Sequence, residues 1–214
     1  MSRKSRRHDG FTFIEVLVVL VLLMVLMVFA FPAIQGMVRR GKIEGTARQT
    51  SVLLQSARLA ALKAGGQKAT TPLGATSWSA RTVVRVDPAT REVVAFVDVN
   101  DSAGSPGSDL VFNPVAGENR GDTDTLLGRV SLPNHVLIDA PDGLTAGADG
   151  VPIAVFLSDG SIDRSGAFRF SDRNGNRLEV RIEPRATARV ELRKWDAATN
   201  EWLTNGQRGK QWSF

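Results

Sequence analysis

The apolar positions are concentrated near the start of the chain. Residues 16–34 form an uninterrupted run of 19 apolar residues, which includes Pro32. At about 1.5 Å per residue, a helix of this length crosses most of a hydrocarbon core roughly 30 Å thick. Four basic residues precede the run within positions 1–10, and the positive-inside tendency places that end in the cytoplasm. The pattern predicts one membrane-spanning helix, with the bulk of the chain outside the cytoplasm.

Helical spacing continues beyond this run. An apolar stripe at intervals of three or four residues, with Thr50 filling a gap, indicates an amphipathic helix. The stripe consists of Ile43, Ala47, Leu54, Ala57, Ala61 and Ala64. Gly65 and Gly66 favour a helix end, since glycine is common just past a helix C-terminus. We expect one helix over residues 11–64, about 80 Å long, whose first half lies in the membrane and whose second half packs on a domain.

The hydrophobic period changes to two from Arg81 onward, which is typical of short strands separated by turns. The predicted strands are 82–86, 92–97, 129–132, 136–139, 153–157, 167–171, 177–183 and 188–195. The dipeptides Asp159-Gly160 and Asn174-Gly175 predict hairpins, because type I′ turns need positive φ. The expected fold class is α+β, with a long N-terminal helix packed on a domain of antiparallel β-sheets.

Charge is unevenly distributed along the chain. The net charge is +5, but residues 1–10 contribute +3 of it and leave +2 for the remainder. A strongly basic chain suggests nucleic-acid binding, and this imbalance weakens that inference. The chain has no cysteine, which excludes a disulfide, a thiolate nucleophile and a cysteine-bound zinc site.

Two simpler kinds of N-terminal segment share the basic start and the apolar run. A cleaved secretory signal has a shorter apolar region, roughly 7–15 residues, followed by a small-x-small cleavage site that is not found here. A plain single-span anchor does not explain Glu15, a lone acid at the start of the apolar run. An ionisable residue at such a position costs about 3 kcal/mol and is a functional-site candidate.

Residues 10–19, Gly-Phe-Thr-Phe-Ile-Glu-Val-Leu-Val-Val, resemble the class III signal of type IV pilins and of the pseudopilins of type II secretion. The resemblance implies that a prepilin peptidase cuts after Gly10 and that Phe11 becomes the methylated N-terminus. It also implies that Glu15 meets the N-terminal amine of a neighbouring subunit, and Pro32 matches a position where pilins commonly bend the helix. In a low-dielectric helix bundle, a partner ammonium offsets the cost of an unpaired carboxylate.

Three further stretches resemble the GspH/FimT branch of pseudopilins, namely residues 50–61, 96–101 and 156–161. One departure is Ala188-Arg189, where this branch often has a Gly-Arg pair. The resemblance implies a structural minor pseudopilin of a type II secretion pseudopilus, or alternatively a FimT-like minor type IV pilin that binds DNA or takes part in pilus assembly. The implied partners are the prepilin peptidase, other pseudopilins or minor pilins, the inner-membrane assembly platform and inner-membrane lipid.

The resemblance also implies an organisation in four parts. Residues 1–10 are the prepilin leader, and residues 11–34 are the transmembrane and filament-core helix. Residues 35–66 form the amphipathic second half of the helix, and residues 67–214 form a periplasmic β-rich domain. The expected location is the inner membrane, crossed once with a cytoplasmic N-terminus, followed by assembly into a periplasmic pseudopilus.

An oxygen-rich stretch follows the second predicted strand. Asp98, Asn100, Asp101 and Asp109 supply the hard oxygen ligands that calcium prefers. The stretch is not an EF-hand, because it has no glycine at the sixth position and no glutamate at the twelfth. A solvated turn is the simpler interpretation, and no other cofactor is indicated.

Catalytic motifs are missing from the sequence. No nucleophile elbow, phosphate loop or histidine-metal spacing occurs, and the only histidines are His8 and His135. We therefore predict a protein without enzymatic activity.

The basic C-terminal region leaves DNA binding open. Its candidate residues are Arg185, Arg189, Arg193 and Lys194, which lie among tryptophans. Basic residues interleaved with aromatic side chains can bind nucleic acid. The alternative is a strand with a solvated basic face and a tail that contacts neighbouring subunits.

Overall fold

Helix α1 spans Phe13–Ala64 and is continuous over 52 residues, as the sequence predicts. The computed structural model describes residues 13–64, 81–87, 89–98, 110, 112, 124–140, 142–147, 150–205 and 207. The predicted cleavage residues and the predicted helix end at Gly65 and Gly66 lie outside these ranges. The chain forms two units, Met1–Arg39 and Arg40–Phe214, and α1 contributes to both.

Ten strands form two antiparallel sheets within the described part of the second unit. The first sheet has the order β3-β2-β1-β6-β5, and the second has the order β10-β9-β8-β7-β4. The strands are β1 (Arg81–Asp87), β2 (Glu92–Asp98), β3 (Thr125–Ser131), β4 (Val136–Ile138), β5 (Thr145–Ala146), β6 (Pro152–Phe156), β7 (Gly166–Asp172), β8 (Arg177–Ile182), β9 (Val190–Asp196) and β10 (Glu201–Thr204). The predicted α+β class, with a long helix packed on antiparallel sheets, is confirmed.

The second half of α1 packs on these sheets through the predicted stripe. Ile43, Ala47, Thr50, Leu54, Ala57 and Ala61 are all buried, together with strand residues such as Phe156, Phe168 and Phe170. Leu53, which the stripe did not include, is buried as well. A Cβ atom on Gly128 of β3 would lie 2.8 Å from Leu53 Cδ1, so glycine lets the helix approach this strand closely.

A second apolar cluster covers the opposite face of the first sheet. It contains Val83, Val94, Phe96, Ile153 and Val155, and Leu110 and Phe112 pack against it. Strands β1, β2 and β6 are therefore buried on both faces. The period of two predicted from Arg81 onward therefore does not hold for these three strands, which are nearly continuous apolar runs.

Several strand predictions need correction. The strand predicted at 129–132 starts at Thr125, and the strand predicted at 188–195 starts at Val190. Ala188 has a φ of 42° and donates its N–H to Pro184 O, so it belongs to the preceding turn. Strands β5 and β10 were not predicted, because runs of two and four residues are too short to show alternation.

The Asn174-Gly175 turn closes a hairpin, but the predicted turn type is wrong. Only the glycine of this pair has positive φ, at 82°, whereas a type I′ turn needs two such residues. The Asp172 carboxylate instead organises the turn, because it accepts the backbone N–H groups of Asn174 and Asn176. Strands β7 and β8 pair on either side of it.

The turn at Asp159-Gly160 forms without joining two strands of one sheet. Its backbone closes through a bond from Leu157 N to Ser161 O, and Gly160 has a φ of 76°. The flanking strands, β6 and β7, belong to different sheets. Beyond this turn the chain folds back on β6, through an antiparallel bridge between Phe156 and Ile162 and a bond from Asp163 N to Val155 O. The predicted hairpin therefore forms locally, and the chain then crosses to the other sheet.

Candidate assembly helix and charged sheet face

The first unit, in its described part, is a helix that is apolar on every side. Its large apolar side chains from Phe13 to Val38 are between 45% and 83% exposed. By length and composition α1 is able to cross a membrane, with a mean hydropathy of 3.1 over its most apolar stretch. A helix that is apolar all round needs lipid or other helices to cover it. This segment therefore fits a membrane span or the core of a helix bundle.

Glu15 lies in the first turn of α1, where its side chain is exposed. An acid in the first turn interacts favourably with the positive end of the helix dipole. Pro32 lies within α1, whereas Gly10 and Phe11 lie outside the described residues. The geometry thus places Glu15 at the described start of the apolar helix.

The predicted calcium ligands are only partly described. Asp98 ends β2 and is buried, and its Oδ2 accepts the N–H of Leu110 at 3.2 Å. The other three, Asn100, Asp101 and Asp109, lie outside the described ranges. Within those ranges, no group of three histidine, cysteine, aspartate or glutamate residues is placed to hold a metal. The calcium site stays a prediction.

The outer face of the second sheet carries a network of ion pairs that we call the charged face. Its arginines are Arg169, Arg181 and Arg193, and its acids are Asp142, Glu179, Glu183 and Glu191. The network arises because β7, β8 and β9 pair in a register that places Arg169, Glu179 and Arg193 in one row. Opposite charges directly across a strand pair are stabilising.

Glu179 is at the centre of the charged face and is fully buried. Its Oε2 accepts a hydrogen bond from Arg169 Nε at 3.2 Å, and Arg193 and Arg181 lie 3.8 and 4.0 Å from its Oε1. Burial raises the pKa of the Glu179 carboxyl, and the three guanidinium groups limit that rise. The three arginines therefore offset the free-energy cost of removing the Glu179 carboxylate from water.

Glu183, at the rim of the charged face, has a pKa shift in the opposite direction. A hydrogen bond from Arg181 Nε, at 2.7 Å, is the main cause that lowers the pKa of Glu183, and Arg193 adds to it. Arg193 also donates to Glu191 at 2.9 Å. Each arginine of the charged face thus has at least two acidic neighbours.

Tryptophans extend the charged face towards its edge strand. Trp195 of β9 and Trp202 of β10 face each other across the strand pair, with ring centroids 5.2 Å apart. The Arg169 guanidinium lies 5.2 Å from the Trp202 ring centroid, within cation–π range. The aromatic side chains are therefore engaged within the domain, with each other and with an arginine.

The structure does not gather the four predicted DNA-binding residues on one surface. Arg193 belongs to the charged face, and Lys194 follows it on β9, so their side chains point to opposite faces. Arg185 pairs with Asp163 at 3.8 Å, and Arg189 pairs with Glu191 at 3.2 Å.

The sequence did contain a signal for the charged face. Residues 177–183, Arg-Leu-Glu-Val-Arg-Ile-Glu, alternate charged and apolar residues and alternate the sign of the charge. This pattern predicts one apolar and one ion-paired face. The partners on β7 and β9 depend on strand register, which the sequence alone did not provide.

Comparison with known proteins supports a type IV pilin-like protein. The family model of the prokaryotic N-terminal methylation motif matches residues 5–31. This stretch contains Gly10, Phe11 and Glu15, and it supports processing by prepilin peptidase, anchoring in the inner membrane and assembly with other pilins. It points to a structural role rather than to catalysis. No curated protein and no solved structure matches the chain.

Proposed function

We propose that the chain is a structural minor pseudopilin of the GspH/FimT branch, a subunit of the pseudopilus in type II secretion. The observation that carries this proposal is an all-round apolar helix that starts within a matched methylation motif. The antiparallel α+β domain behind it is what the branch resemblance implies.

The proposed maturation and assembly assign a role to each N-terminal residue. Prepilin peptidase cuts between Gly10 and Phe11 and methylates Phe11. Glu15 then pairs with the N-terminal amine of a neighbouring subunit and sets the axial register, because a carboxylate in a low-dielectric bundle needs a cationic partner. Pro32 allows the helix to bend.

The proposed parts are the leader at 1–10, the membrane and filament-core helix at 11–34, its amphipathic continuation at 35–66 and the periplasmic domain at 67–214. The domain presents recognition surfaces to other pseudopilins. The arginines and acids of the charged face pair with one another. This face is therefore polar, as expected of a surface that remains in contact with water.

The test follows the tagged full chain in cells that assemble a pseudopilus. We expect the wild-type chain in the periplasmic filament fraction, dependent on prepilin peptidase. Glu15→Leu leaves membrane insertion intact and removes the chain from filaments, whereas Glu15→Asp keeps the carboxylate and retains part of the incorporation. Equal incorporation of Glu15→Leu and wild type would contradict the proposed role of the carboxylate.

The same fractionation separates the alternative function. A FimT-like minor pilin would appear in surface pili sheared from cells, and its domain would bind duplex DNA with an affinity that falls steeply with salt. Arg185 and Arg189, with side chains 63% and 72% exposed, are the residues to replace in that case. A chain found only in periplasmic filaments, without DNA binding, favours the pseudopilin.

A further inference from the structure

A groove separates the edge of the second sheet from the first sheet. One wall is the edge strand β4, and the other is the start of β6 with the turn at Gly150 that precedes it. Arg91, in the turn between β1 and β2, also lines the groove. We propose that this groove binds a short extended segment of another polypeptide chain, and that an acidic side chain of this segment pairs with Arg91. The site lies wholly within the β-sheet domain and goes beyond the proposed function.

Strand β4 has a free edge along the groove. In the second sheet β4 pairs only with β7, and Asp139 N donates to Arg169 O on that strand. Successive residues of a strand direct their backbone groups to opposite sides, so the N–H and C=O of Ile138 point away from β7. Neither group has a backbone partner in the part of the chain that the structure describes. A free edge of this kind is a template for pairing with another strand.

The length of free edge suits only a short segment. Val136, two residues before Ile138, already uses both of its backbone groups. Its N–H donates to Pro133 O, and its C=O accepts from Arg91 Nη2, both at 2.8 Å. The groove has a volume of about 290 Å³, near the lower end of the range of roughly 300–1,000 Å³ for ligand pockets. We therefore expect a bound segment of about three residues in extended conformation.

Arg91 contributes a charge that is not paired within the domain. Its guanidinium group donates to Pro133 O at 3.1 Å and to Val136 O at 2.8 Å, in both cases through Nη2. Its Nε is buried and has no hydrogen-bond partner, and among the described residues no acid forms an ion pair with it. A partly buried cation without a counter-ion is costly. A carboxylate is therefore the ligand that this end of the groove favours.

The acid that lines the groove leaves Arg91 unpaired because it faces another way. Asp139 Oδ1 accepts a hydrogen bond from Ser171 Oγ at 2.7 Å. Strand alternation places the Asp139 side chain with that of Leu137, on the outer face of the second sheet. The backbone of Arg91 is fixed as well, since its C=O accepts the N–H of Leu132 at 2.8 Å. The guanidinium group is therefore held in place before a ligand arrives.

The rest of the groove is apolar. Apart from Arg91 and Asp139, every described residue that lines it is apolar, including Leu137 on one wall and Val151 on the other. Successive side chains of an extended segment point to opposite sides, so we expect apolar or β-branched residues beside the acid. Duplex DNA needs cations spread along many phosphates, which a single arginine in an apolar groove does not provide.

The experiment measures the binding of fluorescent peptides to the full chain in detergent by fluorescence anisotropy. The probes are blocked pentapeptides of valine and threonine in which one glutamate occupies each position in turn. Matched peptides carry glutamine in place of glutamate. The protein variants are Arg91→Gln and Arg91→Lys. The control variant, Arg81→Gln, removes the same charge from an exposed position at the other end of β1.

We expect the glutamate peptide with the highest affinity to bind the wild type at least about tenfold more tightly than its glutamine match, because a hydrogen bond to a charged group contributes at least about that factor. Arg91→Gln should abolish this difference, Arg91→Lys should keep part of it, and Arg81→Gln should bind as the wild type does. The bound peptide should slow hydrogen exchange at the Ile138 amide and leave exchange at the Leu137 amide unchanged, because Leu137 faces β7.

Several outcomes would overturn the proposal. Equal affinity of the glutamate and glutamine peptides for the wild type, or no binding at millimolar concentration, would exclude an acidic segment, whatever Arg91→Gln does to the fold. A preference for glutamate without slower exchange at Ile138 would place the binding elsewhere. Displacement by free glutarate at the same concentration would make the groove a site for small carboxylates.

A second copy of the chain is the remaining occupant to exclude. Dimers of the wild type that form without peptide and are lost in Arg91→Gln would assign the groove to that copy and overturn the proposal. A chain that prepilin peptidase does not cut contradicts the pilin-like assignment alone, because the peptide measurements do not depend on processing.

Discussion

Replacing Glu179 with alanine removes the carboxylate at the centre of the charged face. This side chain is fully buried, with Arg169, Arg181 and Arg193 between 3.2 and 4.0 Å from its oxygens. Removing one partner of a buried pair costs about 3–5 kcal/mol, because the remaining charge is left uncompensated. Glu179→Ala should therefore destabilise the domain.

The expected magnitude is smaller than that for a fully buried pair. Each arginine keeps another acid, as Arg169 keeps Asp142 at 2.6 Å, and the three side chains are still 22–28% exposed. Water therefore screens part of the loss. We expect Glu179→Ala to lower the free energy of unfolding by about 2 kcal/mol.

Two further variants separate the charge from the position. Glu191→Ala removes a rim acid that is 21% exposed and pairs with Arg189 and Arg193. It should cost about 1 kcal/mol or less, because water reaches these pairs and screens them. Glu179→Gln keeps an acceptor for Arg169. Because burial raises the pKa of Glu179, a neutral amide avoids the desolvation of a charge and should cost less than alanine.

The assay is urea unfolding of the full chain in detergent at pH 7, followed by circular dichroism, with the slope m compared among variants. We expect the largest loss of unfolding free energy for Glu179→Ala, and smaller losses of similar size for Glu179→Gln and Glu191→Ala. A loss for Glu191→Ala equal to or larger than that for Glu179→Ala would refute the central position of Glu179.

Two other predictions concern the turn between the sheets and the pH response. Gly160 and Gly150 have φ of 76° and 75°, so alanine strains the backbone at both positions by about 1 kcal/mol. Only at position 160 would the added Cβ meet another side chain, since it would lie 2.7 Å from Leu62 Cδ2. Gly160→Ala should therefore lose about 1 kcal/mol more unfolding free energy than Gly150→Ala in the same urea assay, and equal losses would contradict this helix–turn contact. The Glu183 pKa lies below its ordinary value of 4.5, chiefly through the Arg181 hydrogen bond, so its stabilisation is present above that value and is lost as the pH falls through the lowered pKa. Glu183→Gln should therefore lose less stability than the wild type on acidification from about pH 5 to pH 3, and parallel pH profiles would show that the hydrogen bond does not stabilise the folded state.

Helix α1 was predictable because its sequence signals are local and repeated. The apolar run and the stripe from Ile43 to Ala61 each repeat over several turns, and every stripe residue with described burial is buried. Strands β1, β2 and β6 were also predicted, although they are dense apolar runs buried on both faces rather than the alternation of period two that was expected.

The remainder depended on pairing between distant residues. The crossover at Gly160 has the local sequence of a hairpin. It links two sheets because β6 pairs with strands of the first sheet and β7 with strands of the second, which the local sequence does not show. Arg193 and Lys194 were predicted together as DNA-binding residues because they are adjacent in the sequence. The strand period of two places their side chains on opposite faces of the sheet. The burial of Glu179 required the register of three strands.

The most direct test of the pilin-like assignment is the intact mass and N-terminal residue of the chain expressed with and without prepilin peptidase. We predict loss of residues 1–10 only when the peptidase is present, with a methyl group on Phe11. A Gly10→Val variant should stay uncut under both conditions. An N-terminus that remains at Met1 or Ser2 with active peptidase, or cleavage after Ala33, would contradict the pilin-like assignment.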